Sequence, residues 1–421
     1  MPARPRVWRI PALLRYTIVF GLGSTLMLTR FQLNFGGGLF LNVGTMAQYL
    51  FIMALLAYGF ARIDPIRLLL LIACGCVSMV SLVANSDVAS KNSVLLFAVA
   101  YLAWIFVARN SERTEHLSRW TLAVFGNLMM VCAVAGILQF FLQFVIKDYW
   151  LLDYTSYLPE VIRGGGAYNT VIPVNNFFKS NGFFFREPST FSQFLALALL
   201  CEFATQKRWR PVRLATLGLA LLLSYSGTGL LTLFIGLLFP LGRKTVFRLI
   251  LLAIAAAVIL SPLGDALNLS FTAGRIGEFS YAGSSGFARF VAPFMIVRNY
   301  LDATPWSLLI GFGPGTIFRI IASAGADFQI ADPTWAKLFI EYGVLGFIAI
   351  AGLFLYSILK SRAPSELRAG IAFGWLVIWG GILLAPDITS ILFMLVAVWP
   401  RPPAPKKQPL SPPVATAQAR P

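Results

Sequence analysis

The sequence predicts an all-α polytopic membrane protein with about twelve transmembrane helices and two long outer loops. Three observations carry that expectation. Of the 421 residues, 58% are hydrophobic and only 12% are charged, about half the charge of an ordinary soluble domain. The apolar residues fall in runs near the length of about 20 that a spanning helix needs. The basic residues, which set a formal net charge of +17, cluster in short segments between those runs. That placement sets orientation in a membrane, so the charge is a topological signal and no nucleic-acid site is expected.

In chain order, the expected spans are 11–29, 39–60, 66–84, 93–108, 119–146, 188–205, 246–262 and 334–359. The first lacks a small-residue cleavage signature, which predicts a retained anchor. From Leu214 to Gly242 the chain carries no charge and has basic residues on both sides. One long helix would put one basic cluster outside; two short helices folded at Ser226-Gly227-Thr228-Gly229 keep both inside. The stretch 369–399 has the same character, with a break at Pro386-Asp387. Two hairpins bring the count to twelve and leave both termini cytoplasmic. Residues 1–399 then form a single polytopic domain, and the Pro-rich 400–421 a disordered cytoplasmic tail. Among the short outer loops, only Arg30 and Lys91 are basic.

The long outer segments, 147–187 and 263–333, are where a site is expected. Each feeds a helix back into the membrane through an acid and a proline, Glu187-Pro188 and Asp332-Pro333. Proline at the first helical position is ordinary helix-start chemistry. It also turns two helix N-termini, with their partial positive charge, toward the outer face. Against the topology bias, these segments carry Lys147, Arg163, Lys179, Arg186, Arg275, Arg289, Arg298 and Arg319, followed by Lys337. Arginine's planar fork suits bidentate contacts to phosphate. Interleaved aromatics, including Phe183, Phe184, Phe185, Phe287, Phe290, Trp306 and Trp335, would suit sugar rings. Pairing with Asp148, Asp153, Asp265 or Asp302, or binding of lipid headgroups, is the structural alternative for each arginine. Glycine runs at Gly164-Gly165-Gly166 and Gly311-Phe312-Gly313-Pro314-Gly315 permit close backbone approach. Residues 287–303 read as a helix along the membrane interface, bent at Pro293.

No metal or cofactor is expected. The four cysteines (Cys74, Cys76, Cys132, Cys201) lie in apolar runs, where thiols pack as small hydrophobes, and His116 is the only histidine.

Several segments together resemble a known family. The run Asn181-Gly182-Phe183-Phe184-Phe185-Arg186-Glu187-Pro188-Ser189-Thr190-Phe191 is similar to the loop-to-helix transition of Wzy-type polysaccharide polymerases. Ser224-Tyr225-Ser226-Gly227-Thr228-Gly229-Leu230 resembles their serine-rich turn. Ser285-Gly286-Phe287-Ala288-Arg289-Phe290, Leu309-Ile310-Gly311-Phe312-Gly313-Pro314-Gly315 and Glu341-Tyr342-Gly343-Val344-Leu345-Gly346 follow in the family's order. The likeness covers roughly residues 120–360. It implies a GT-C-like glycosyltransferase of the O-antigen polymerase and ligase superfamily, in the bacterial inner membrane with its active site periplasmic. The implied donor is an undecaprenyl-diphosphate-linked oligosaccharide, used without metal or nucleotide sugar. Membrane lipids surround the protein, and a chain-length regulator and a flippase of the same pathway are the implied partners. Ligases of this superfamily carry a histidine where the second outer loop re-enters the membrane. Here Asp332 and Thr334 occupy that region, which favours a polymerase. Ten residues separate Arg275 from Gly286, a spacing seen in some polymerase loops.

The chemistry needs stabilisation of a leaving lipid diphosphate and a carboxylate to take a sugar hydroxyl's proton. The expected catalytic residues are Arg186 and Arg289 as diphosphate clamps and Glu187 or Asp332 as base. Arg163, Lys179, Arg275, Arg298, Arg319 and Trp335 are expected to bind substrate. Glu341 reads either as a weaker candidate or as a partner for Arg319 or Lys337. The alternatives are an O-antigen ligase-type transferase and a polysaccharide or lipid transporter. Transporters place ionisable groups near the bilayer midplane, whereas here they gather on one outer face.

Overall fold

The computed structural model describes residues 10–36, 39–168, 170–172, 177–205, 211–239, 254, 280–282, 284–301, 305–323, 333–379 and 381–400. The expected span 246–262 and the tail beyond residue 400 lie outside them, apart from Ile254.

The first span folds as α1 (Ala12–Met27). The second becomes helical only at Val43. Asn42 Oδ1 accepts the Gly44 N–H at 2.7 Å and starts α2 (Val43–Ala57) there. The residues before it pair as an antiparallel hairpin, β1 (Gln32–Gly36) with β2 (Leu39–Asn42). Asp64 caps α3 (Pro65–Ala84) through the amides of Ile66 and Arg67, and Pro65 fills the first turn. α4 (Lys91–Tyr101) tightens into a 3-10 turn and runs into β4 (Phe106–Ala108), which pairs with β3 (Ala61–Ile63). A third pair joins β5 (Val171–Ile172) to β6 (Phe177–Phe178). The described residues are mostly helical, as expected, and these short two-stranded pairs are small additions to the helices. The 15-residue α2 is about 22 Å long, short of a hydrocarbon core about 30 Å thick. Strand pairing satisfies the backbone groups that such a short helix leaves over.

Ser111 caps α5 (Glu112–Leu142), the longest helix among the described residues. α6 (Pro188–Thr205) follows the first outer segment. The 214–242 stretch does break into two helices, α7 (Pro211–Leu223) and α8 (Gly227–Leu238), with Tyr225 at φ 46° in the turn. Each packs against α6. The second outer segment supplies α9 (Ser285–Phe290), α10 (Ala292–Leu301), α11 (Pro305–Ile310) and α12 (Ile317–Ser323). The expected interfacial helix is thus two helices, broken at Val291 just before Pro293. α13 (Thr334–Leu359) is kinked at Gly343, and α14 (Ser365–Phe373) is separated from α15 (Pro386–Leu392) by the expected interruption.

Among the described residues, three helices, α3, α5 and α13, are long and apolar enough to cross a membrane, and shorter apolar helices accompany them. Large apolar side chains face outward on them: Tyr16 and Phe20 on α1, Leu69 and Val83 on α3, Val131 and Leu138 on α5. A lipid environment accommodates such a belt; water does not. Inside, one continuous core gathers nearly every helix, with Phe354 stacked on Trp375 at 3.9 Å and Trp104 beside it.

Candidate active site

The wall of the candidate site is the segment Asn181–Glu187, which enters α6 through Pro188. Gly182 (φ 67°) and Phe183 (φ 64°) turn the backbone sharply there. Gln139 of α5 holds the turn: its amide donates to Asn181 Oδ1 at 2.8 Å, and its carbonyl accepts from Ser180 Oγ and the Asn181 N–H at 3.0 and 3.1 Å. The end of α1 supplies a second anchor. Buried Arg30 donates from Nη2 to the Phe185 carbonyl at 2.6 Å and pairs through Nη1 with Asp153 at 3.3 Å. Thr29 Oγ1 donates to the Phe184 carbonyl.

So held, the segment presents Arg186 and Glu187 to a cavity of about 190 Å³. The cavity is closed by Thr29 just after α1, Tyr168 from the first outer segment, Ser189, Thr190 and Gln193 from α6, Arg289 from α9, and Gly381, Ala385, Asp387 and Ile388 from α15 and the stretch before it. Glu187 accepts a charge-assisted hydrogen bond from Arg289 Nη2 at 3.0 Å, largely shielded from solvent, and faces the same cavity as the Tyr168 phenol. Burial, and then the negative charge of Glu187, push the Tyr168 phenol above its ordinary value. The Arg186 guanidinium is exposed, lies 5.7 Å from the Tyr168 ring centre, and has no hydrogen-bond acceptor among the described residues. A Cβ on Gly165 would fall on it, so the glycine run expected to permit close approach does so for a side chain of this same site.

A larger recess, about 720 Å³, lies at the opposite end of α5, lined by Glu115, Arg119, Arg362 and Arg368. Arg119 and Arg362 pair with Glu115, and Arg368 donates to the carbonyls of Ala363 and Leu359. That recess is held by its own contacts, whereas the smaller cavity offers an unengaged guanidinium beside two carboxylates.

Of the catalytic candidates, Arg186, Glu187 and Arg289 come together across two distant segments; Asp332 lies outside the described residues. Of the substrate-binding candidates within the described residues, none lines this cavity. Arg163 donates to the carbonyls of Leu158 and Ser156 and secures its own loop. Lys179 follows β6, with its N–H donating to the Thr170 carbonyl. Arg298 and Arg319 are exposed on α10 and α12, and Trp335 packs on Phe294 with ring centres 4.3 Å apart. Arg275 is outside the described residues. Glu341 is buried in α13, pairs with Lys337 at 3.5 Å and accepts the Ile317 N–H at 3.3 Å, so it joins α13 to α12. Among the described residues no cluster of histidine, cysteine, aspartate and glutamate has the makings of a metal site.

Sequence reasoning missed Tyr168 and Asp387. Tyr168 carried no signal. Asp387 did: it is the sole ionisable residue from Ala369 to Trp399, and an isolated acid in an apolar stretch is a functional marker. Beside Pro386 it reads as part of a helix break.

The remaining motifs also meet. The Leu309–Gly315 turn runs against the kink of α13, with Gly311 (φ 75°) on the backbone of Glu341 and Tyr342, and Gly343 (φ 65°) on that of Leu309 and Ile310. Neither the curated proteins nor the solved structures contain a match to the chain. The family comparison does match: residues 20–399 correspond to the WcaD colanic acid polymerase family. That match spans nearly the whole chain and all the elements that build the cavity, and the chain belongs to the WcaD colanic acid polymerase family.

Proposed function

We propose that the protein lengthens a surface polysaccharide at the periplasmic face of the inner membrane, joining undecaprenyl-diphosphate-linked oligosaccharide repeats through a cavity built around Arg186 and Arg289. The family is one of polysaccharide polymerases, and the apolar helices make this a membrane enzyme. One observation carries the reading further: an arginine with no acceptor and a second arginine fixed by a carboxylate face one small cavity. A diphosphate leaving group gathers negative charge as its bond to the sugar breaks, and preorganised guanidinium donors stabilise that charge without reorganising. Twelve spans with both termini cytoplasmic put this cavity on the outer side, where lipid-linked repeats are displayed. Colanic acid is the product that the family's name suggests.

The ligase reading loses its main support, since His116 lies in α5 beside Arg113 and Tyr58, far along the helix from Gln139 and the cavity. The test is deletion in the native host, with sizing of the surface polysaccharide and of the lipid-linked glycans. A polymerase leaves single repeats on the outer leaflet that are never lengthened. Long polymer stranded on the carrier would mean a ligase, and repeats trapped on the cytoplasmic face would mean a transporter.

A further inference from the structure

Asp387 sits in the first turn of α15, at the outer end of the last expected hairpin, ahead of the apolar run that follows. Its place is fixed by packing: a Cβ on Gly44, at the start of α2, would come within 2.8 Å of the Asp387 Cα. No side chain among the described residues donates to its carboxylate. It is half-buried and lines the same cavity as Arg186, Glu187 and Arg289. The two carboxylates of the cavity are therefore unlike. Glu187 is occupied by Arg289, while Asp387 keeps lone pairs open to whatever enters.

We infer that Asp387 is the base that takes the proton from the acceptor sugar's hydroxyl, while Arg186 and Arg289 hold the donor's diphosphate and Glu187 positions Arg289. This rests on the polymerase reading. In the step, the acceptor hydroxyl oxygen forms a bond to the donor's anomeric carbon, and the bond from that carbon to the diphosphate oxygen breaks. The bonding pair leaves on the lipid diphosphate beside the two arginines, and the hydroxyl proton passes to the Asp387 carboxylate, from which water later removes it. The titratable and charged groups that face Asp387 are Arg186 and Tyr168, with Glu187 and Arg289 across the cavity; the stretch just after α1 and the start of α2 bring only Thr29 and Gly44.

The experiment is elongation of a synthetic polyprenyl-diphosphate-linked repeat by the full-length protein in membranes, with donor binding measured in parallel. Asp387→Asn and Asp387→Ser both keep an oxygen that can cap the first turn of α15, so a purely structural Asp387 tolerates them. A base does not: both variants are expected at wild-type abundance and donor affinity, with turnover lowered about 10²–10⁴-fold. Asp387→Glu is expected to keep part of the turnover with a displaced pH profile. Turnover within about threefold of wild type in the Asn or Ser variant overturns the assignment and leaves the polymerase reading intact. So does loss of both variants from the membrane while Asp387→Glu keeps the wild-type pH profile, because Asp387 is then structural. A wild-type protein that never extends the repeat removes the polymerase reading, and the base with it.

Discussion

Arg289 and Glu187 lie 102 residues apart in sequence and meet at 3.0 Å, one from the second outer segment and one from the first. This pair carries the second outer segment to the mouth of α6. Arg289→Ala is expected to abolish polymer while protein abundance stays unchanged, because losing one such electrostatic contact costs about 10²–10³ in rate. Sizing of the surface polysaccharide checks it, and polymer of normal length would remove Arg289 from the site. Arg289→Lys keeps the charge without the planar fork, and is expected to fall between the two.

Arg186→Ala separates function from stability in another way. The guanidinium has no acceptor among the described residues and is exposed, so its loss is expected to change folding stability by no more than about 0.5 kcal/mol. Turnover is expected to fall about 10²–10³-fold. Thermal unfolding of the purified protein, read beside polymer length, decides the point; a large drop in Tm would mark Arg186 as a structural residue.

Two glycines make opposing predictions. Gly165→Ala collides with Arg186 Nη2, the far end of a flexible side chain, so the protein is expected to fold and to lose activity as the guanidinium is displaced. Gly311→Ala places its Cβ 2.4 Å from the backbone of Glu341 and Tyr342, at a φ of 75°. Backbone has nowhere to go, and a cost of roughly 1–3 kcal/mol is expected from strain alone. Abundance in membranes reports both.

Tyr168→Phe tests the phenol beside Glu187. The phenol's pKa is raised by burial and by the Glu187 charge, so the folded protein keeps that proton at pH values where the unfolded chain has lost it. The linked stability is full below pH about 10 and declines above it. Between pH 6 and 9, Tyr168→Phe is expected to leave the shape of the pH–rate profile unchanged. Above pH 10 the wild type is expected to lose stability more steeply than the variant, as followed by pH-dependent unfolding.

A phosphatase reporter fused after Gly229 tests the first hairpin's orientation. Gly229 lies in the first turn of α8, next to the Ser224–Ser226 turn, which the basic clusters on both sides place outside. High reporter activity is expected; a reporter that stays cytoplasmic would refute the hairpin's placement.

What the sequence disclosed followed physical rules that act locally. Apolar runs and charge clusters announce helices, and the uncharged 214–242 stretch had to break because its flanks are basic at both ends. Asn42 and the strand pairs escaped notice because an apolar run says nothing of where in it the helix begins. Arg186 and Arg289 stand out because arginines gathered in the long loops, against the expected charge bias, need a reason. Arg163 met that reason in backbone carbonyls of its own loop, which spacing does not reveal. Asp387 is marked by its isolation in an apolar stretch, but its place beside Arg186 depends on α15 folding back onto α2 and the first long loop, a relationship that no local pattern encodes.

The ring of residues around the cavity begins with Thr29 and ends with Asp387 and Ile388. During synthesis, Arg186 and Arg289 are made well before Asp387. A nascent chain stopped between α9 and α15 carries both arginines without the opposing wall of the cavity. Ribosomal completion therefore acts as the closing step: truncated products can reach the bilayer, yet none holds the finished chamber.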